Sequence, residues 1–425
     1  MRKRLLGIII VTMLILTACG KKILQKESIV LYHATDMHYL SQQLTDNSPA
    51  FVEYIRDGDG KMVHYIEAIM EAFVNDISET KPDYLLIGGD ITFNGEKQSH
   101  IDIAEKFRRI EENGTQVLVI PGNHDVDYPF NFGYSGNSMY KTDRIQKSDF
   151  EQIYKDFGLS QAYSRDEKSF SYFYRLTDKF VLLALDTNTA GGTGVLDVST
   201  AQWIENELKK LKSDVKVIAL THQNAVNHFP GDSFGKQYYI INNKSLLDLF
   251  EKYNVQLNLS GHIHTQHKAE YGTVTDIATE SLAVLPCNYG VIECTPQGFF
   301  YDTASVNVEK WAQENNVTDE NLADFDNYSK EFYMASQRNL CKDTLIEETG
   351  LSEKEINLMS DFFAELNVYY FAGTMDEHEL DLSLSDGYNM WQEKGKDLWH
   401  YYYIEQRMEE GRQALNHDSA QILFN

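Results

Sequence analysis

The sequence predicts an α/β (α+β) protein followed by a smaller all-helical C-terminal region. Three observations carry this. Short apolar runs alternate with helix-length stretches of 3.6-residue periodicity along most of the 425-residue chain. Those runs repeatedly end in polar residues rich in Asp, Asn and His. Beyond about residue 310 the strand-like runs cease and acidity rises, with 25 Asp+Glu against 9 Lys+Arg in residues 306–425.

The elements follow in order. Ile29–Ala34 is a short apolar run ending at Thr35-Asp36-Met37-His38, and reads as a buried strand. Apolar residues at helical spacing over 62–77 (Ile66, Ile69, Met70, Phe73, Ile77) predict a helix, broken by Lys81-Pro82-Asp83. Residues 84–87 form the next strand, ending at Gly88-Gly89-Asp90. Residues 98–112 are helical, stopping near Gly114. Residues 116–120 form a third strand, ending at Pro121-Gly122-Asn123-His124-Asp125. Strands at 180–185, 215–220 and 256–259 end at Asp186, Thr221-His222 and Ser260-Gly261-His262-Ile263-His264. Helices at 199–211, capped by Ser199 or Thr200, and at 244–253 separate them. Residues 273–278, 289–294 and 299–304 read as further strands, and 320–342, 352–371 and 387–403 as helices, with Gly373 stopping the second.

Composition bounds the function. A 42% hydrophobic, 24% charged chain of this length excludes a polytopic membrane protein and a disordered chain. The formal net charge of −26 opposes binding to long nucleic acid, which depends on phosphate neutralisation by Lys and Arg. It leaves room for a small anion held by metal ions.

At the N-terminus, Arg2, Lys3 and Arg4 precede an apolar run over 5–16 and then Leu16-Thr17-Ala18-Cys19. This resembles a bacterial lipoprotein signal, which implies cleavage before Cys19 and diacylglycerol on its sulfur. The expectation is therefore a signal peptide over 1–18, a lipidated tether over 19–27, and a protein held on the cell membrane with its body outside the cytoplasm. Cys287, Cys294 and Cys341 remain, an odd number, so no complete disulfide framework is possible. A 287–294 bridge and three buried thiols are both open.

The polar strand ends supply a constellation: Asp36-x-His38, Gly89-Asp90, Gly122-Asn123-His124-Asp125, His222 and Gly261-His262-x-His264. In α/β sheets, ligands bind at the carboxyl ends of strands, so these loops are expected to meet at one edge. Segments 39–60, 126–148 and 224–242 follow motifs and are long for connections, which suits loops covering a site. Other candidates are weaker. His33 lies on a strand and reads as core packing. His267 supports the site or is exposed. His228 touches substrate or belongs to the surface. Tyr401, Tyr402 and Tyr403 read as a helix-packing surface.

The motif series D-x-H, G-D, G-N-H-[DE], H and G-H-x-H resembles that of the calcineurin-like metallophosphoesterases, over roughly residues 28–305. Gly89 to Glu96 carries the G-D-x-x-x-N-G-E pattern common in class III cyclic-nucleotide phosphodiesterases. A lipoprotein signal with a helical C-terminal unit is similar to some bacterial members of that group. The resemblance implies a two-sheet β-sandwich flanked by helices, with a catalytic domain over 28–305 and a helical domain over 306–425. It implies one metal on Asp36, His38, Asp90 and His264, and another on Asp90, Asn123, His222 and His262, with Asp90 as bridge. Mixed nitrogen and oxygen ligands suit Mn, Fe or Zn. Two cations acidify water and neutralise phosphate charge. The implied reaction is attack of a metal-bridging hydroxide on a phosphodiester, a cyclic nucleotide first, with Asn123 and His124 meeting the substrate and His124 as general acid. Asp125 either orients His124 or serves the fold. Phe93 stands where purple acid phosphatases place a ligating Tyr, which argues against a ferric-tyrosinate enzyme. The alternatives are a phosphomonoesterase, a nucleotide pyrophosphatase, a phospholipid-headgroup hydrolase, or a catalytically silent nucleotide-binding lipoprotein.

Overall fold

The computed structural model describes residues 26–424 apart from 57, 190–191 and 230–237. The expected signal peptide, Cys19 and part of the 224–242 loop lie outside the described residues. The elements are β1 (Ile29–Ala34), α1 (Pro49–Arg56), α2 (Ile66–Thr80), β2 (Tyr84–Ile87), α3 (Lys97–Glu112), β3 (Gln116–Val119), the hairpin β4 (Phe132–Ser135) and β5 (Ser138–Lys141), and α4 (Lys147–Tyr154). Then come β6 (Ser164–Arg165), β7 (Tyr172–Arg175), β8 (Phe180–Leu185), β9 (Asn188–Thr189), β10 (Gly192–Thr193), α5 (Val198–Leu208), β11 (Lys216–Thr221), α6 (Asn243–Lys252), β12 (Leu257–Ser260), β13 (His267–Tyr271), β14 (Val274–Ala278), β15 (Asn288–Thr295) and β16 (Gly298–Ser305). The C-terminal region comprises α7 (Val308–Glu314), α8 (Glu320–Ala323), α9 (Phe325–Thr349), α10 (Glu353–Ala372), α11 (Met375–Ser383), α12 (Asp386–Lys394), α13 (Trp399–Arg412) and β17 (Ala420–Leu423).

Two sheets face each other. One has the order β17-β16-β15-β1-β2-β3, the other β13-β14-β12-β11-β8-β7-β6. Strands β1, β2 and β3 run parallel in the first, and β8, β11, β12 and β14 in the second. Strand β8 shows why its apolar run is unbroken. Phe180, Leu182 and Ala184 point into the inter-sheet core with Leu31, Leu85 and Val117. Val181, Leu183 and Leu185 point the other way, under Ile204, Leu208, Leu246 and Phe250 of α5 and α6. Side chains alternate faces along a strand, so a strand covered on both sides needs apolar residues throughout. Each fully buried side chain of this kind contributes about 1.5–3 kcal/mol.

The C-terminal helices have their own core, centred on Met359, Phe362, Trp391, Ile404 and Met408. Helix α10 starts at a capping box of Ser352 and Glu355 and ends at Gly373, in the left-handed region at φ 79°. Several details differ from expectation. The single helix expected over 387–403 is two, α12 and α13, parted at Gly395, which packs so closely on Trp391 that a Cβ there would lie 2.3 Å from the ring. The helix expected over 320–342 is broken at Asp324 into α8 and the longer α9. The chain does not end helically either: β17 returns to pair antiparallel with β16. Its four residues bury only Ile422, too little alternation to read from sequence.

Cys287, Cys294 and Cys341 are buried free thiols. Among the described residues, no helix is long and apolar enough to cross a membrane.

Candidate metal centre

The parallel strands deliver the candidate residues to one edge. Asp36 and His38 follow β1, Asp90 follows β2, Asn123 and His124 follow β3, His222 follows β11, and His262 and His264 follow β12. Asp36, His38, Asp90, His262 and His264 all adopt positive φ, between 45° and 70°. Each such non-glycine residue costs about 1–3 kcal/mol, and a cluster of them marks a place where geometry is kept for chemistry.

Three overlapping groups emerge: Asp36 with His38 and His264, His38 with Asp90 and His124, and Asp90 with His222 and His262. Within each, the ligand atoms lie within 4.8 Å of one another. The two oxygens of Asp90 face different partners. Oδ1 is 3.3 Å from His222 Nε2, and Oδ2 is 4.0 Å from both His38 Nε2 and His124 Nε2. Asp36 Oδ1 is 3.2 Å from His264 Nε2 and, though buried, accepts no hydrogen bond. Its Oδ2 takes the Thr35 hydroxyl (2.7 Å) and the His262 backbone N–H (2.9 Å). A buried carboxylate oxygen left open among imidazole nitrogens fits a cation, and the nitrogen–oxygen donor set suits Mn, Fe or Zn.

Imidazole roles follow from the second nitrogen. His222 Nδ1 donates to the Gly88 carbonyl at 2.9 Å, so Nε2 is the nitrogen that faces Asp90 and Asn123. Asn123 Oδ1 also accepts from Gln223 Nε2 at 3.0 Å, and Gln223 is held in turn by Asn188. His124 Nδ1 lies 3.0 Å from both the Phe93 carbonyl and Asn94 Oδ1, and its ring stacks on Tyr128 at 4.4 Å.

Electrostatics favour positive charge here. Burial alone would raise Asp90, yet His222 and His124 hold its carboxyl well below the usual range. Burial likewise opposes ionised Asp36, and His222 and His264 overcome it. Conversely, burial would lower His222 and His264, but the neighbouring carboxylates raise both to about 9. His124 is pulled below its ordinary value by burial, with Asp90 opposing.

Asp125 serves the fold. Its carboxylate accepts from Gly122 N (2.7 Å), Thr92 N (3.0 Å), Thr92 Oγ1 (3.2 Å) and Ile91 N (3.2 Å), tying the Asp90 and Asn123 loops together. Gly122 is required by close approach, since a Cβ there would lie 2.2 Å from both Asp90 N and Asp90 Oδ1.

His33 is core, bonded to the Thr279 hydroxyl at 2.8 Å. His228 and His267 are neither exposed nor at the centre. They are buried with their Nδ1 atoms 3.0 Å apart, and His267 faces Glu410 of α13. His267, Glu410 and His417 form a further compact group. There the Lys268 N–H donates to His417 Nδ1 at 3.1 Å, so the proton of the neutral ring sits on Nε2 toward Glu410. That Nε2 makes no hydrogen bond, and Glu410 Oε2 stands 3.8 Å from it.

A cavity of about 700 Å³ opens beside His124, walled by Tyr54, Phe93, Tyr128 and Met139 with Asp59, Lys61 and Asn94. The segments 39–60 and 126–148 both contribute walls. A smaller cavity of about 340 Å³ lies on the Asn123 side. A larger cleft of about 900 Å³, between α3 and α4, contains none of the candidate ligands. Sequence reasoning missed Asp59, Lys61 and Gln223. Gln223 directly follows His222, and Asp59 lies within the 39–60 segment expected to cover the site.

Residues 29–266 match the family described as calcineurin-like phosphoesterase, and residues 307–412 match the C-terminal domain of cyclic nucleotide phosphodiesterase. No curated protein matches. Among solved structures, a dimetal phosphatase from Danio rerio is 12% identical, with 65% of this chain and 96% of that one covered and a TM-score of 0.44. GAP50, the anchor in the inner membrane complex of Plasmodium, is 13% identical, covering 66% and 85%, with a TM-score of 0.38. A putative 5′-nucleotidase from Staphylococcus aureus is 12% identical, covering 63% and 50%, with a TM-score of 0.35.

Proposed function

The chain belongs to the calcineurin-like phosphoesterase family, and from that premise we propose that it is a dinuclear-metal phosphodiesterase acting on cyclic nucleotides. The observation that carries the dinuclear reading is Asp90, whose two oxygens face separate imidazole sets in overlapping ligand groups. In this reading Asp36, His38, Asp90 and His264 hold one ion and Asp90, Asn123, His222 and His262 the other. The pair would acidify water and offset phosphoryl charge.

The protein's own residues supply the rest. Gly88 and Gln223 orient His222 and Asn123. His124 keeps a proton on Nδ1 against Phe93 and Asn94, so the proton available to a departing alkoxide is the one on Nε2. Asn123 and His124 together meet the substrate phosphate. The aromatic cavity beside His124 suits a flat nucleobase, and the match of residues 307–412 supports the cyclic-nucleotide choice. The catalytic unit in this account is residues 28–305, followed by the helical unit. The lipoprotein-like N-terminus supports anchoring at Cys19 with the catalytic unit outside the cytoplasm, where 2′,3′-cyclic nucleotides from RNA breakdown would be met more readily than intracellular 3′,5′-cyclic nucleotides.

Turnover of 2′,3′-cAMP, 3′,5′-cAMP and a simple phosphomonoester, measured side by side, tests this. The proposal expects a cyclic nucleotide to be preferred. A strong monoester preference would overturn it in favour of a phosphatase.

A further inference from the structure

We propose that the turn 58–61, gripped by helix α9 of the C-terminal region, belongs to the active site, and that Asp59 is a positioning residue for His264. The proposal rests on the reading of His264 as a metal ligand.

The geometry begins at the imidazole. Asp59 Oδ2 lies 3.5 Å from His264 Nδ1. A carboxylate facing Nδ1 keeps the proton on that nitrogen and leaves the lone pair on Nε2. His264 Nε2 is the atom that points inward, 3.2 Å from Asp36 Oδ1 and 3.0 Å from His38 Nε2. The same Asp59 oxygen is 3.0 Å from Lys61 Nζ. Taken alone, that ion pair would be a surface pair of little worth, since the Asp59 side chain is 52% exposed. Facing His264 gives the carboxylate a second task.

The turn is placed from outside the catalytic unit. Ser336 on α9 donates its hydroxyl to the Gly58 carbonyl at 2.9 Å. Gly60 sits at φ +90°, and a Cβ there would lie 2.6 Å from the ring of Tyr333, also on α9. His64 Nε2 meets the Tyr328 hydroxyl at 2.6 Å, again on α9. On the other side, Met62 N donates to the Ala283 carbonyl at 2.8 Å. The turn is therefore clamped between α9 and the sandwich, with Asp59 and Lys61 lining the cavity beside His124. The helical region thus completes the site through backbone it holds rather than through a ligand of its own.

The test is Mn²⁺ binding by the full-length, metal-stripped chain, read by equilibrium dialysis with metal analysis. Asp59→Ala is expected to weaken one of two Mn²⁺ equivalents about 10–100-fold, the range seen when a ligand's supporting partner is removed. The other equivalent should stay within about threefold. Asp59→Asn, which keeps an oxygen acceptor, should recover most of the loss. Gly60→Ala, which alters no charge but forces the turn off Tyr333, should weaken the same equivalent. A parent chain that binds two Mn²⁺ with Asp59→Ala unchanged, or with both equivalents weakened alike, overturns this proposal alone. A parent chain that binds none overturns the dinuclear reading and this proposal with it.

Discussion

The Phe93 carbonyl oxygen lies 3.0 Å from His124 Nδ1, and this contact sets which nitrogen of His124 faces the candidate metal centre. The backbone of the residue standing where a ligating Tyr would be needed for a ferric site instead pins an imidazole. His124→Ala should cost about 10²–10⁴-fold in kcat on 2′,3′-cAMP, the usual worth of a general acid. The loss on bis-p-nitrophenyl phosphate should be far smaller, because p-nitrophenolate leaves without protonation. Equal losses on both substrates would argue that His124 only shapes the site.

Gly122 and Asp90 are in contact that no side chain could occupy. Gly122→Ala should push Asp90 out of place and lower Mn²⁺ affinity by about 10-fold or more, as expected when a ligand loses its orientation. Titration of metal-stripped protein with Mn²⁺ checks this, and unchanged affinity would show that the loop can yield.

Asp125 predicts a stability effect. Removing its carboxylate strands the N–H groups of Gly122, Ile91 and Thr92 and the Thr92 hydroxyl. Asp125→Ala should destabilise the fold by about 3 kcal/mol, since orphaned buried donors cost about 1–3 kcal/mol each and relaxation recovers part. Urea unfolding of parent and variant measures the difference.

His100 predicts a pH effect. It is buried, bonded to the Tyr154 hydroxyl at 2.8 Å and to the Asp125 carbonyl at 3.1 Å, and burial lowers its pKa to about 3. In the unfolded chain it takes up a proton below its ordinary value of 6.5, while in the folded chain it does not. Stability is therefore lost as pH falls from about 6.5 toward 3, with a slope approaching about 1.4 kcal/mol per pH unit for this group. His100→Gln keeps hydrogen-bonding capacity without titrating, so urea midpoints at pH 7 and pH 5 should lie closer together than in the parent.

Much of this site was legible in the sequence because its residues stand directly after strands. Apolar runs such as Ile29–Ala34 end at Asp36 and His38, and Leu257–Ser260 ends at His262 and His264; parallel pairing brings such ends together within each sheet, and the packing of the two sheets joins the two sets. What sequence could not show depends on approach from distant chain. Asp59 lies in a turn whose position is set by Tyr333 and Ser336, more than 270 residues later. His228, read in a covering loop, and His267, read as supporting the site or exposed, are buried by distant chain: His267 against Glu410 of α13, and His228 against His267 and Asp276. The positive φ values of Asp36, His38 and Asp90 carry only a weak local signal: Asp and His adopt that region more readily than most side chains, but still seldom. The break at Gly395 and the return of β17 were missed for a related reason: both are decided by packing on Trp391 and β16 rather than by periodicity.

In the proposed function, Asp90 joins two ions in a hydrolytic centre. The most direct measurement is hydrolysis of bis-p-nitrophenyl phosphate by the metal-stripped, full-length chain as Mn²⁺ is restored, with bound metal counted in the same samples and Asp90→Ala alongside. Turnover should appear as two Mn²⁺ bind per chain, and Asp90→Ala should show none at any Mn²⁺ concentration. Two bound ions with no turnover in the parent, or turnover undiminished in Asp90→Ala, would contradict it.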